Sequence, residues 1–217
     1  MMQELPSDNK LAARFVARAC HKVALSTLDK DGAPYVSLVT LALDHDLSPI
    51  LIISGMSAHT RNVQTDPRVG LLFDGTEGHP NPQSGPRLSM QGIALKVDDL
   101  SEIDRLRIRF LARNPGASTY ASFGDFSLWK ITPIRAQFVG GFGRAVWIDA
   151  PFGLEMDLIQ SFQSEEAHLL SEIAKHTRTD VLSIDPDGYD LSVGESWIRV
   201  NFHHVPQTVE EALALVK

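Results

Sequence analysis

Apolar and polar positions recur along the chain with two different periods, and the change of period divides it. Leu11, Ala12, Phe15, Val16 and Ala19 share one helical face, so the spacing predicts a helix over 11–20. β-Rich runs at 22–28 and 33–43 flank Asp29-Lys-Asp-Gly32, where glycine supplies the positive φ of a tight hairpin turn. A second turn over 44–49 leads into Ile50-Leu-Ile-Ile53. Ser57 is placed as the N-cap of a short helix that Pro67 stops. Strands are predicted at 68–73 and 87–97 across a Gly/Pro-rich loop at 74–86, with Gly92 marking a bulge or a close backbone approach. Ser101-Glu-Ile-Asp104 reads as a capping box opening a helix to about Arg113, and 127–134 with 135–139 read as one or two strands. Strands that follow one another without intervening helices make an antiparallel sheet, and short Val/Ile/Leu strands of this kind have a barrel composition.

From Gly153 the pattern turns helical. Leu154, Leu158, Ile159 and Phe162 predict one helix, and Leu169, Leu170 and Ile173 a second over 165–175. A hairpin around Asp185-Pro-Asp-Gly188, a third strand over 196–202 and a Thr208-Val-Glu-Glu211 capping box complete an expected ααβββα unit. The predicted architecture is therefore α+β: an antiparallel split β-barrel over 1–150 with a small C-terminal α/β appendage over 151–217.

Charge adds to this division. The 217 residues carry a net charge of −7. Residues 1–152 hold 16 Lys and Arg against 15 Asp and Glu, while 153–217 hold 4 against 12. The appendage is thus expected to present an acidic surface, and the near-neutral barrel to retain enough cations for a small anionic ligand. Broad nucleic-acid and anionic membrane surfaces are disfavoured. The single Cys20 admits neither an intramolecular disulfide nor a Cys/His zinc pattern, which points to a reducing cytoplasm. The start has no signal-peptide pattern, and no apolar run approaches the ~20 residues needed to span a bilayer.

The segments Asp-Gly-Ala-Pro-Tyr-Val-Ser (31–37), His-Thr-Arg-Asn-Val (59–63), Asp-Pro-Arg-Val-Gly-Leu-Leu-Phe (66–73), Arg-Leu-Ser-Met-Gln-Gly (87–92) and Gly-Gly-Phe-Gly-Arg-Ala-Val-Trp-Ile (140–148) together resemble the FMN-binding split barrels related to pyridoxamine 5′-phosphate oxidase. Within that group they are most similar to the haem-utilisation (HugZ-like) branch. The resemblance implies a homodimer with FMN at the subunit interface and a flavin-dependent oxidoreductase activity. Its alternatives are haem binding or haem breakdown for iron use, and a non-catalytic barrel that has lost its cofactor. Two departures stand out. Where the oxidases hold the flavin phosphate with an Arg/Lys pair and a Lys, this chain has Ala58, His59 and Ala42. Where the branch carries a His-Met-Asn…Asp-His stretch, it has Ala174-Lys-His-Thr-Arg178.

Ser57, His59, Thr60, Arg61 and Asn62 form the candidate anion site, because a helix start offers free N–H groups to which a hydroxyl, an imidazole and a guanidinium add. A flavin phosphate or a haem propionate suits it equally. The competing reading is that Ser57 only caps the helix and Arg61 pairs with a carboxylate. The resemblance implies that Ser37, Val39 and Thr40 flank the flavin, with Ser37 and Val39 on one face and Thr40 on the other. Arg87 and Gln91 share a strand face and either reach the cofactor or form an exposed edge. Gly141 and Arg144, in the Gly140–Gly143 run, are placed beside a planar ring or the partner subunit, and Trp147 either stacks on that ring or fills core. His203 or His204 is the candidate haem ligand. No GxSxG, HExxH or P-loop occurs, no general acid or base stands out, and a small-molecule substrate or cofactor is the expected partner.

Overall fold

The computed structural model describes residues 5–194 and 196–216. In chain order the elements are α1 (Asn9–Ala19), β1 (Lys22–Leu28), β2 (Pro34–Thr40), β3 (Ala42–Leu43), β4 (Pro49–Ser54), α2 (Ala58–Thr65), β5 (Arg68–Asp74), β6 (Arg87–Lys96), α3 (Leu100–Arg113), β7 (Phe126–Val139), β8 (Ala145–Asp149), α4 (Met156–Ala174), β9 (Val181–Asp185), β10 (Gly188–Val193), β11 (Ser196–Asn201) and α5 (Val209–Ala214). The first sheet runs β2-β1-β5-β6-β7-β4-β3, with β8 also paired to β7, and every pairing is antiparallel. It curls into the half-barrel of an α+β split-barrel fold.

Alternation explains the curl. Val23, Leu25, Val39, Leu71, Phe73, Leu88, Met90, Ile131 and Phe138 point inward, where Ala12, Ala13, Val16 and Ala17 of α1 close the core. Burying each large side chain of this kind contributes about 1.5–3 kcal/mol. β7 is a single 14-residue strand, long enough to pair with both β6 and β4. The register shift between Gln91 and Gly92 is the expected bulge: a Cβ on Gly92 would lie 2.7 Å from both Ile131 Cγ2 and Thr132 O.

Several boundaries differ from the sequence expectation, each for a local reason. β2 ends at Thr40, because Leu41 turns into the core and the Asn114 side chain takes its carbonyl at 3.1 Å. The helix-opening cap of α3 is Asp99, which accepts from Glu102 N at 2.9 Å; Ser101 only donates to Asp99. The two helices predicted after Gly153 are one 19-residue helix, since no Gly or Pro separates Phe162 from Glu165. The C-terminal unit is therefore αβββα, with sheet order β11-β10-β9 and a core of Leu158, Phe162, Leu169, Ile173, Ile184, Phe202 and Val209. Thr208 caps α5 as expected. Gly188 (φ +148°) has no room for a side chain, because a Cβ there would lie 2.1 Å from Val200 O.

The largest correction concerns the acidic surface of the C-terminal unit. Asp185, Asp187 and Asp190 are buried and face arginines of the barrel. Arg14 Nε donates to Asp187 at 2.8 Å, and Arg18 Nε lies 3.4 Å from both Asp185 and Asp187. Arg109 pairs with Glu166, and Arg113 Nε lies 3.5 Å from Asp190. Arg199 of β11 grips Asp185 at 2.6 and 2.8 Å. Backbone carbonyls take further donors: Arg18 donates to Asp44 O and His45 O, and Arg109 to Leu43 O, while Arg113 Nε is buried without a hydrogen bond. Burial opposes ionisation of Asp185, but the charges of Arg18 and Arg199 hold its carboxyl well below the usual range. Four of the tail's twelve carboxylates thus form an internal joint, while others, among them Glu155, Asp157, Asp180 and Glu210, stay exposed at its surface.

Candidate functional site

Two places on the barrel collect the chemistry-bearing residues. The first lies where α2 packs against β1 and β2. Ser37 faces inward beside Leu25, its register partner, and His59 Nδ1 lies 3.1 Å from its hydroxyl. Asn62 Nδ2 donates to Thr27 Oγ1 at 2.9 Å. Ser57 occupies the N-cap position without making the expected side-chain cap: its hydroxyl donates to Ser54 O at 2.7 Å and lies 2.8 Å from Thr60 Oγ1. Thr60 is buried. Arg61 turns back to the helix start and donates to Met56 O, with no carboxylate partner among the described residues. Burial lowers the pKa of His59 and keeps it neutral at pH 7. The helix start thus gathers neutral polar groups, with its one cation tied down.

The second place is the outer face of the sheet. Cross-strand neighbours point to the same side, so the registers define two rows. One row is Val36, Ser26, Gly70, Gln91, Arg135 and Asp149, and the next is Leu38, Ala24, Leu72, Ser89, Gln137 and Trp147. Leu38 is 69% exposed, Trp147 52% and Leu72 39%: Leu38, Ala24 and Leu72 make an open apolar patch over β2, β1 and β5, separated from Trp147 on β8 by Ser89 and Gln137. Thr40 lies on this face and Val39 on the buried one, as the alternation required. Gln91 accepts from Arg135 Nε at 2.9 Å, and the Arg135 guanidinium lies 4.6 Å from the Trp147 ring centroid. Trp147 therefore does not fill core. Arg87 donates to Gln83 O and Gly85 O at 3.3 and 3.2 Å.

The glycine run forms the turn between β7 and β8, with Gly141 and Gly143 at positive φ. Arg144 is not free to bind an anion: it donates to Asn9 Oδ1 at 2.7 Å and to Pro6 O and Ser7 O at 2.7 and 2.9 Å. His203 and His204 are exposed between β11 and α5, and His204 Nε2 lies 2.8 Å from Glu211. The sequence-predicted residues thus fall into an α2 group (Ser37, Ser57, His59, Thr60, Arg61, Asn62), an outer-face group (Thr40, Arg87, Gln91), Val39 in the core, and residues placed elsewhere (Gly141, Arg144, His203, His204).

A groove of about 610 Å³ continues the outer face past the end of α1. Val16, Ala24, Leu38 and Leu72 form its apolar wall, and His21, Lys22 and His79 also line it. Sequence reasoning did not single out His21, Lys22 or His79. The signal available was His-Lys directly before an apolar-alternating strand. Among the described residues no helix is long and apolar enough to cross a membrane.

A family profile described as pyridoxamine 5′-phosphate oxidase matches residues 10–140. The chain is 32% identical over 155 residues to the chloroplastic heme oxygenase HOZ of Arabidopsis thaliana, covering 70% of this chain and 44% of that protein, so it spans less than half of that relative's length. It is 28% identical over 151 residues to the heme oxygenase HutZ of Vibrio cholerae, covering 66% of this chain and 80% of the relative. A solved structure of an Agrobacterium tumefaciens protein of unknown function superposes with a TM-score of 0.78 at 23% identity, over 97% of this chain and 94% of that one, and so shares the whole fold.

Proposed function

The chain belongs to the pyridoxamine 5′-phosphate oxidase family of split barrels, in its haem-utilisation branch, and on that premise we propose that it binds haem on the outer face of the sheet and takes part in haem breakdown. The observation that carries this reading is the exposed patch of Leu38 and Leu72, with Trp147 farther along the same face and Lys22, Arg87 and Arg135 around them. Haem is a flat apolar ring with two carboxylates, and this face offers apolar area next to cations. The named relatives, both heme oxygenases, support the same ligand. When bound, haem supplies the oxygen and redox chemistry, while the chain's residues orient it and neutralise its propionates. A second copy of the chain packing on the same face would complete the pocket as a homodimer.

The flavin reading has less support. A phosphate at the α2 start would meet Ala58, His59 and an Arg61 already donating to Met56 O, and Ala42 is buried where the oxidases carry a lysine. Parallel optical titrations with hemin and FMN separate the two. We expect a saturable Soret band with hemin and no saturable change with FMN. Saturable FMN binding without a hemin band would overturn the haem reading.

A further inference from the structure

We propose that His21 is the side chain that ligates haem iron, in the groove between the end of α1, the start of β1 and the loop after β5; this assignment rests on the haem reading above. The groove, about 610 Å³, falls within the ~300–1,000 Å³ of small-molecule sites. One wall is aliphatic (Val16, Ala24, Leu38, Leu72), so a porphyrin edge finds apolar contact; Lys22 stands next to His21 to meet a propionate, while Asp74 and Glu77, which also line the groove, disfavour a propionate on the side of the loop after β5.

The His21 ring is already oriented. It stacks on Trp197 at 3.9 Å between centroids with an interplanar angle of 16°. The Arg113 guanidinium lies 3.7 Å from the centroid of the same indole. Two groups this close to one ring must occupy opposite faces, so Trp197 is clamped and in turn fixes the imidazole plane. Neither His21 nitrogen has a hydrogen-bond partner among the described residues, and the ring is exposed at the groove. Partial burial and the Arg113 charge lower its pKa, which keeps the iron-binding lone pair available at pH 7. Three other histidines are already engaged: His45 is buried against Asp44, His59 lies against Ser37, and His204 against Glu211; His79 lines the same groove but does not share the ordered stack on Trp197.

The test is a hemin titration of the full chain, read by Soret absorbance and by the iron–imidazole vibration in resonance Raman spectra. His21→Phe keeps a ring on Trp197 but has no nitrogen; His21→Gly, titrated with and without free imidazole, is the second variant should the first not fold. The wild-type protein is expected to show the iron–imidazole signature. His21→Phe should lose it and bind hemin about tenfold or more weakly, and free imidazole should restore it in His21→Gly. His79→Phe and His204→Ala should retain it. An unchanged signature in His21→Phe, or its loss in His79→Phe or His204→Ala instead, would overturn the assignment while leaving haem binding intact. No saturable hemin band in the wild-type protein would defeat the haem reading itself.

Discussion

The joint between barrel and C-terminal unit and the outer face of the sheet use charge in opposite ways. At the joint, Arg14, Arg18, Arg109, Arg113 and Arg199 are buried against Asp185, Asp187, Asp190 and Glu166, and backbone carbonyls take up further donors. On the outer face, Lys22 and the His21 nitrogens stand beside open aliphatic surface without partners among the described residues. A buried network of opposite charges holds a geometry, and removing one member leaves an uncompensated charge. An exposed cation beside an apolar wall contributes little to folding and remains available to a ligand. Charge density alone is therefore a poor guide: the densest cluster is structural, and the sparse one is where the proposed ligand would sit.

The largest effect should come from the joint. Asp187→Ala leaves Arg14 and Arg18 short of a carboxylate and should cost about 3–5 kcal/mol in urea unfolding. The folded fraction should still bind hemin with wild-type affinity. A cost below about 1 kcal/mol, or a selective loss of hemin binding, would break the contrast between the two regions.

The next effect is pH-dependent and sits at the same joint. His45 is buried between Asp44, Arg109 and Glu166, and burial together with Arg109 lowers its pKa despite the two carboxylates. Below about pH 6.5 the unfolded chain takes up a proton there that the folded chain resists, so stability falls as pH falls, by up to about 1.4 kcal/mol per pH unit. Asp44 is buried as well, but Arg105, His45 and Lys130 hold its carboxyl well below the usual range, as arginines do for Asp185. Their contribution is present above about pH 4 and is lost as pH drops further toward their folded values. Urea midpoints between pH 7 and 5 should fall in the wild-type protein and flatten in His45→Gln. Equal slopes in the two would show that His45 is not the group responsible.

The smallest effect on stability, and the sharpest on function, belongs to Leu38→Asp. Leu38 is 69% exposed, so unfolding should change by no more than about 0.5 kcal/mol. Hemin affinity should nevertheless fall, because a carboxylate would then face the ring and its propionates. A stable variant with unchanged hemin affinity would move the ligand off this face.

These contrasts also explain what was legible beforehand. Alternation in β1, β5 and β6, the Gly92 bulge and the Thr208 cap are local signals, and they translate directly into structure. The α2 group was legible because Ser37 and His59 belong to segments with a family resemblance, and they do meet. The joint was not legible. Arg14 and Arg18, like Arg109 and Arg113, are spaced by four and lie on the core side of their helices, but their carboxylate partners are more than 50 residues away in sequence. The three buried aspartates consequently read as surface along with the rest of the tail's acidity. The His21 groove was missed for a similar reason, since Trp197, which orients the imidazole, lies on β11.

Hydrogen exchange of the full chain with and without hemin tests the division between a structural joint and a ligand-bearing face most directly. The account predicts slower exchange on hemin binding in 21–24, 36–38 and 70–76, with 14–18 and 185–190 unchanged. Protection confined to 14–18 and 185–190, with none on the outer strands, would contradict it.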